Sequence, residues 1–139
     1  MFETSACLAP LEEAVDRTKI LIVDDDDDQS SALSYRLNKY GFATLTADTV
    51  ERGVRQSRDK SPDLILLDVR LPDGSGLDLC RILADDPHTW SIPIIIVSGM
   101  ESQSVVRNAR TAGARFFLKK PYDPNALLVL IENALREEF

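Results

Sequence analysis

Three unbroken apolar runs constrain this chain more than anything else in it: Ile20 to Val23, Leu64 to Leu67 and Ile94 to Val97. The first stops at Asp24, the second at Asp68 and the third at Ser98. A strand with one wet face alternates apolar and polar residues, so short continuous runs of Ile, Leu and Val predict strands covered on both faces. Strands of that kind belong to parallel sheets, whose crossover connections are long enough to hold a helix.

The intervening segments have the matching character. Leu33, Leu37 and Tyr40 fall at helical spacing before Gly41, which predicts a helix from about Asp27 to Tyr40 with glycine as its stop. Phe42 to Thr46 reads as a second strand, and Asp48 is placed to cap a helix reaching about Asp59, with Val50 and Val54 inward. Beyond the second run, the turn formers of Leu71 to Gly76 precede a helix through Leu77, Cys80, Ile82 and Leu83. A polar, proline-broken loop from Asp85 to Pro93 leads into the fourth strand. Ser98 and Gly99 make a turn, and a helix runs from about Ser102 to Ala112 before Gly113. Arg115 to Leu118 reads as a fifth strand, and Asp123 or Asn125 opens a last helix with Leu127, Leu128, Leu130, Ile131 and Leu135 on its apolar side.

Five strand-helix pairs in succession define a doubly wound α/β fold, a five-stranded parallel sheet with helices on both faces. Right-handed crossovers bring the C-terminal ends of all its strands to one edge. Ligands of such folds bind at that edge, near the point where strand order reverses.

The 139 residues suit one hydrophobic core, with residues 1–18 as a leader of mixed character and residues 19–139 as the single domain. There are 23 acidic and 16 basic side chains, a formal net charge of -7, and no stretch rich in Lys or Arg. That balance argues against direct nucleic-acid binding by this segment. Cys7 and Cys80 are far apart and His88 is the only histidine, which excludes zinc chemistry and histidine-based triads. No apolar run approaches the roughly 18 residues that a membrane span needs, and the N-terminus lacks the blocks of a secretory signal. A cytoplasmic, reducing setting without membrane contact is the expectation.

The strand ends carry the chemistry. Asp24 and Asp25 follow the first strand, Asp68 the third, Ser98 the fourth and Lys120 the fifth. Crowded carboxylates destabilise one another, and a hard divalent cation relieves them; Mg2+ suits a set of carboxylates, carbonyls and waters. The same cation can offset charge on an incoming phosphoryl group while Asp68 attacks phosphorus. Lys120 offers a fixed positive partner to one phosphoryl oxygen, and Ser98 a hydroxyl donor to another.

The stretches ILIVDDDDDQS, DLILLDVRLPDGSG, IPIIIVSG and FFLKKP carry these residues at separations of 43 positions from Asp25 to Asp68, 30 to Ser98 and 22 to Lys120. Together they resemble the receiver domain of two-component phosphorelay response regulators, of the chemotaxis-regulator type, over about residues 19–138. The resemblance implies a flavodoxin-like strand order 2-1-3-4-5. It implies that Asp68 is the phosphoacceptor, and that Asp24, Asp25, Asp68 and the main-chain carbonyl of Arg70 hold Mg2+. Ser98 would be the switch hydroxyl, Phe117 the switch aromatic, and Arg70 and Met100 would tune loss of the phosphoryl group to water. The donor would be a sensor histidine kinase or a histidine phosphotransfer protein. The fourth helix, fifth strand and fifth helix would form the output face and a possible homodimer contact. A cis bond between Lys120 and Pro121 is also implied.

Two other functions compete. One is a phosphorylation-independent interaction module of the same fold, against which the complete pocket argues. The other is a hydrolase with an aspartyl-phosphate intermediate, but such enzymes place an acid two residues after the nucleophile, where Arg70 stands here. Magnesium-dependent self-phosphorylation and slow autodephosphorylation, rather than enzymatic turnover, are therefore expected. Asp27 and Asp28 read as acids capping the first helix, and Asp26 has no assigned role. Gly99, in a position usually taken by alanine, leaves its loop looser. Tyr35, Tyr40 and Tyr122 read as packing residues, Trp90 as a lid over the sheet edge, and Lys119 as a solvent-facing neighbour of Lys120.

Overall fold

The computed structural model describes residues 17–99 and 103–136. Its strands are β1 (Lys19–Val23), β2 (Ala43–Ala47), β3 (Leu64–Leu67), β4 (Ile94–Ser98) and β5 (Phe116–Lys119). They form one sheet in the order β2-β1-β3-β4-β5, every neighbouring pair parallel. The helices are α1 (Asp27–Lys39), α2 (Val50–Lys60), α3 (Gly76–Ala84), α4 (Gln103–Ala112) and α5 (Pro124–Arg136). This is the doubly wound, flavodoxin-like arrangement expected.

Alternation along the strands explains the unbroken runs. Leu21, Val23, Ile65, Leu67 and Ile96 pack into one layer with Leu79 and Leu83 of α3 and Ala109 and Ala112 of α4. Ile20, Ile22, Leu64, Leu66, Ile95 and Val97 pack into the other, with Leu37 of α1 and Leu127 and Ile131 of α5. Successive residues point to opposite faces, so two apolar layers leave no polar position within these three runs. Each fully buried Leu, Ile or Val contributes ~1.5–3 kcal/mol by leaving water.

The connections refine the sequence reading. Asp26, not Asp27 or Asp28, is the cap of α1, its side chain accepting from Gln29 N. Asp27 and Asp28 occupy the first turn, where negative charge still suits the helix dipole. Thr49 rather than Asp48 caps α2, accepting from Arg52 N at 3.0 Å. Asp48 instead pairs with the Arg52 side chain at 3.1 Å. Asp73, at the tip of a two-residue ribbon (Arg70–Leu71 with Gly74–Ser75), adds a distant cap, accepting from Val50 N at 2.7 Å and Glu51 N at 3.1 Å. The Val50 N–H, outweighing the opposing effect of burial, holds its carboxyl below the ordinary range.

Three aromatics depart from expectation. Tyr35, Tyr40 and Trp90 are 65%, 54% and 64% exposed, so neither tyrosine packs inward and Trp90 stands largely in solvent. Tyr35 lies under the Lys39 ammonium, 5.0 Å from its ring centroid. Tyr122 does pack, against the layer shared by α1 and α5. Met100, Cys7 and the leader up to residue 16 lie outside the described residues, as does the expected helix start at Ser102. Among the described residues no helix is long and apolar enough to cross a membrane.

Candidate functional site

Strand order reverses between β1 and β3, and the residues that follow these two strands stand side by side. Backbone bonds carry the chain past the strand ends: Asp24 N donates to Ala47 O at 3.0 Å, Asp68 N to Val23 O at 2.9 Å and Lys120 N to Ser98 O at 2.8 Å. Each functional side chain therefore leaves a backbone already held by a neighbouring strand. Gly76 completes the frame. Its N–H donates to Val69 O at 2.7 Å, and a Cβ there would sit 2.1 Å from the Asp68 carbonyl oxygen. Only glycine lets α3 begin this close to the end of β3.

Asp24, Asp25, Asp68, Arg70, Ser98 and Lys120 line one open cleft. Asp24 and Ser98 are buried, Asp68 is partly buried, and Asp25 and Arg70 are exposed. The Lys120 ammonium lies 3.1 Å from Asp24 Oδ2, 3.1 Å from Asp68 Oδ2 and 2.7 Å from Gln29 Oε1. Burial alone would lower the Lys120 pKa, but the bonds and charges of Asp24 and Asp68 outweigh it and hold the ammonium above the ordinary lysine value. The Lys120–Pro121 bond is cis. Lys119 is exposed, while Phe117 is half-buried and packs on the α3 and α4 side of the sheet, away from the cleft lining.

A residue of the frame, Gly76, and one of the cleft lining, Gln29, escaped the sequence reading. Gly76 read only as a turn former, because its close approach to the Asp68 carbonyl is set by how the helix docks and not by local spacing. Gln29 carried no signal, because its partner Lys120 is 91 positions away.

Among the described residues no three acidic, His or Cys side chains converge into a ready cation cage. The donor set nonetheless fits Mg2+, which keeps most of its waters and needs only one or two carboxylates. Asp24, Asp25 and Asp68 offer hard oxygens on one cleft, and a single ammonium faces two of them.

A family model described as the response regulator receiver domain matches residues 20–132. The chain belongs to that family. Protein PilH of Pseudomonas aeruginosa is 35% identical over 117 residues, covering 84% of this chain and 97% of PilH. KdpE, the KDP operon transcriptional regulatory protein of Escherichia coli, is 35% identical over 120 residues, 86% of this chain. The receiver spans only 52% of KdpE, about half of that relative. A solved two-component response regulator from Clostridium difficile aligns with a TM-score of 0.82 at 28% identity, over 87% of this chain and 98% of that one. Receiver domains of two-component response regulators are a signalling family, and this chain is one of them.

Proposed function

We propose that Asp68 of this receiver takes a phosphoryl group from a phosphohistidine on a sensor histidine kinase or histidine phosphotransfer protein, and that the altered cleft resets an output surface. The Lys120 ammonium, 3.1 Å from both Asp68 Oδ2 and Asp24 Oδ2, carries this reading. A carboxylate oxygen of Asp68 forms its bond to phosphorus as the phosphorus–nitrogen bond of the donor breaks, the electron pair leaving with the imidazole nitrogen. Lys120 can turn one N–H from Asp68 to a phosphoryl oxygen, and the Ser98 hydroxyl can serve another. Asp24, Asp25, Asp68 and the Arg70 main-chain carbonyl would hold Mg2+, which when bound supplies charge compensation to the phosphoryl group.

Val69 and Arg70 follow Asp68, so no second acid is placed for hydrolase turnover. Slow loss of the acyl phosphate to water is the only other reaction, tuned by Arg70 and Met100. Ser98 and Phe117 form the switch. The surface of α4, β5 and α5 is the output face and a homodimer contact. Residues 19–139 act as one receiver behind the leader of residues 1–18, in the cytoplasm, with no nucleic-acid or membrane contact of their own.

Incubation with phosphoramidate and Mg2+, read by intact-protein mass spectrometry, tests the proposal. One phosphoryl group per chain is expected, lost on chelation and reduced more than about 100-fold in Asp68→Asn. An unlabelled wild type, or undiminished labelling of Asp68→Asn, would leave the phosphorylation-independent interaction module as the better description.

A further inference from the structure

Four hydrogen bonds close a circuit beside the cleft. Asp24 Oδ1 accepts from Asp26 N at 3.0 Å, and Asp26 Oδ1 accepts from Gln29 N at 3.1 Å. Gln29 Oε1 then accepts from Lys120 Nζ at 2.7 Å, and Lys120 returns to Asp24 Oδ2 at 3.1 Å. An ammonium has three N–H donors; the third goes to Asp68 Oδ2 at 3.1 Å. Gln29 thus supplies the shortest of the three bonds, and the only one to a neutral acceptor.

That neutrality matters during transfer. Phosphorylation of Asp68 to the acyl phosphate removes its carboxylate charge and places new charge on phosphoryl oxygens farther out, so the N–H aimed at Asp68 is the one that must change partner. The flexible lysine stem then depends on the two remaining bonds for its position. Asp24 supplies one, in proportion to its charge. Gln29 supplies the other without neutralising the ammonium that the phosphoryl group needs. Asp26 in turn anchors Gln29, since its side chain caps the helix turn on which Gln29 sits.

We propose that Asp26 and Gln29 are a positioning pair, which holds the Lys120 ammonium in line for a phosphoryl oxygen through a hydrogen-bonded circuit closed on Asp24. The proposal rests on the reading of Asp68 as phosphoacceptor.

Phosphoramidate labelling of the full chain, followed against donor concentration alongside urea unfolding, tests it. Gln29→Met keeps length and volume but loses the acceptor. Its maximal rate is expected to fall about tenfold, the scale of one hydrogen bond to a charged group, with the half-saturating donor concentration and urea midpoint unchanged. Gln29→Glu keeps the acceptor but adds a charge that competes for the ammonium, so its half-saturating concentration of the anionic donor should rise and its maximal rate should fall, by less than in Gln29→Met. Asp26→Ala should copy the rate loss of Gln29→Met and add nothing to it in the double variant, with a lower urea midpoint from the lost cap, whereas Asp26→Asn, which still caps, should restore both. A Gln29→Met variant at wild-type maximal rate, or rate losses that simply track the urea midpoint, would overturn the positioning role alone. If the wild type itself takes no label on Asp68, the phosphoacceptor reading fails first and this inference with it.

Discussion

Two buried aspartates at different places in this fold, Asp24 and Asp86, are nearly equal in exposure, at 8% and 6%, and opposite in circumstance. Asp86 lies in the loop after α3, where Oδ2 accepts from Arg58 Nε at 2.6 Å and Oδ1 from His88 N at 2.8 Å. One carboxylate meets one guanidinium, the charges balance, and the pair ties the last turn of α2 to that loop. Asp24 shares the Lys120 ammonium with Asp68, beside the exposed Asp25. The cleft is left with more negative charge than its lysine cancels, and its frame is held by backbone bonds instead. At Asp86, side-chain charge secures the structure; at the cleft, the backbone does, which leaves the side-chain charges available to exchange partners.

The sharpest way to break that contrast is to disturb the backbone at the cleft. Gly76→Ala forces a Cβ against the Asp68 carbonyl and should cost about 3 kcal/mol in urea unfolding, at the upper end for overpacking. A loss below about 1 kcal/mol would mean that the cleft is not held in this way. The next largest effect should come from Asp86→Ala, which is expected to lower the urea midpoint at neutral pH while Asp68 labelling persists.

The pH dependence of that variant sharpens the comparison. The His88 backbone N–H and then Arg58 hold the Asp86 carboxyl below the usual 3.8. A carboxyl depressed on folding contributes stability that is present above its unfolded pKa and lost as pH falls through the folded one. Wild type and Asp86→Ala should therefore converge in strong acid; a gap that persists unchanged there would show that Asp86 acts by packing rather than by charge. The smallest effect belongs to Gly99→Ala. A Cβ at Gly99 meets nothing within 4 Å, so the substitution should raise stability by only ~0.4–1 kcal/mol through the unfolded chain, again by urea unfolding.

The fold was legible because its signal is local. Four apolar residues in a row, ended by a polar one, report both the strand and the edge where Asp24, Asp68 and Ser98 gather. Helix caps were less legible, since Asp48 and Thr49 are both good caps and only the backbone turn selects Thr49. Tyr35 misled because α1 buries a narrow stripe through Leu33 and Leu37 and its ring falls off it, and Tyr40 because α1 ends at Lys39, one residue before it. The Arg58–Asp86 tie and the Gln29–Lys120 bond join residues 28 and 91 positions apart, a distance over which residue spacing carries no signal.

The bond from Lys120 to Asp24 spans 96 positions and has a consequence for the chain during its synthesis. Asp24 and Asp68 emerge early, but the cation between them arrives only when β5, the outermost strand on its side, has docked. Until then the two carboxylates lack the Lys120 ammonium, and parallel pairings over such separations form slowly. A chain whose last strand is not yet in place therefore lacks the Lys120 contact, and the charge balance of the cleft is completed only with the final element of the sheet.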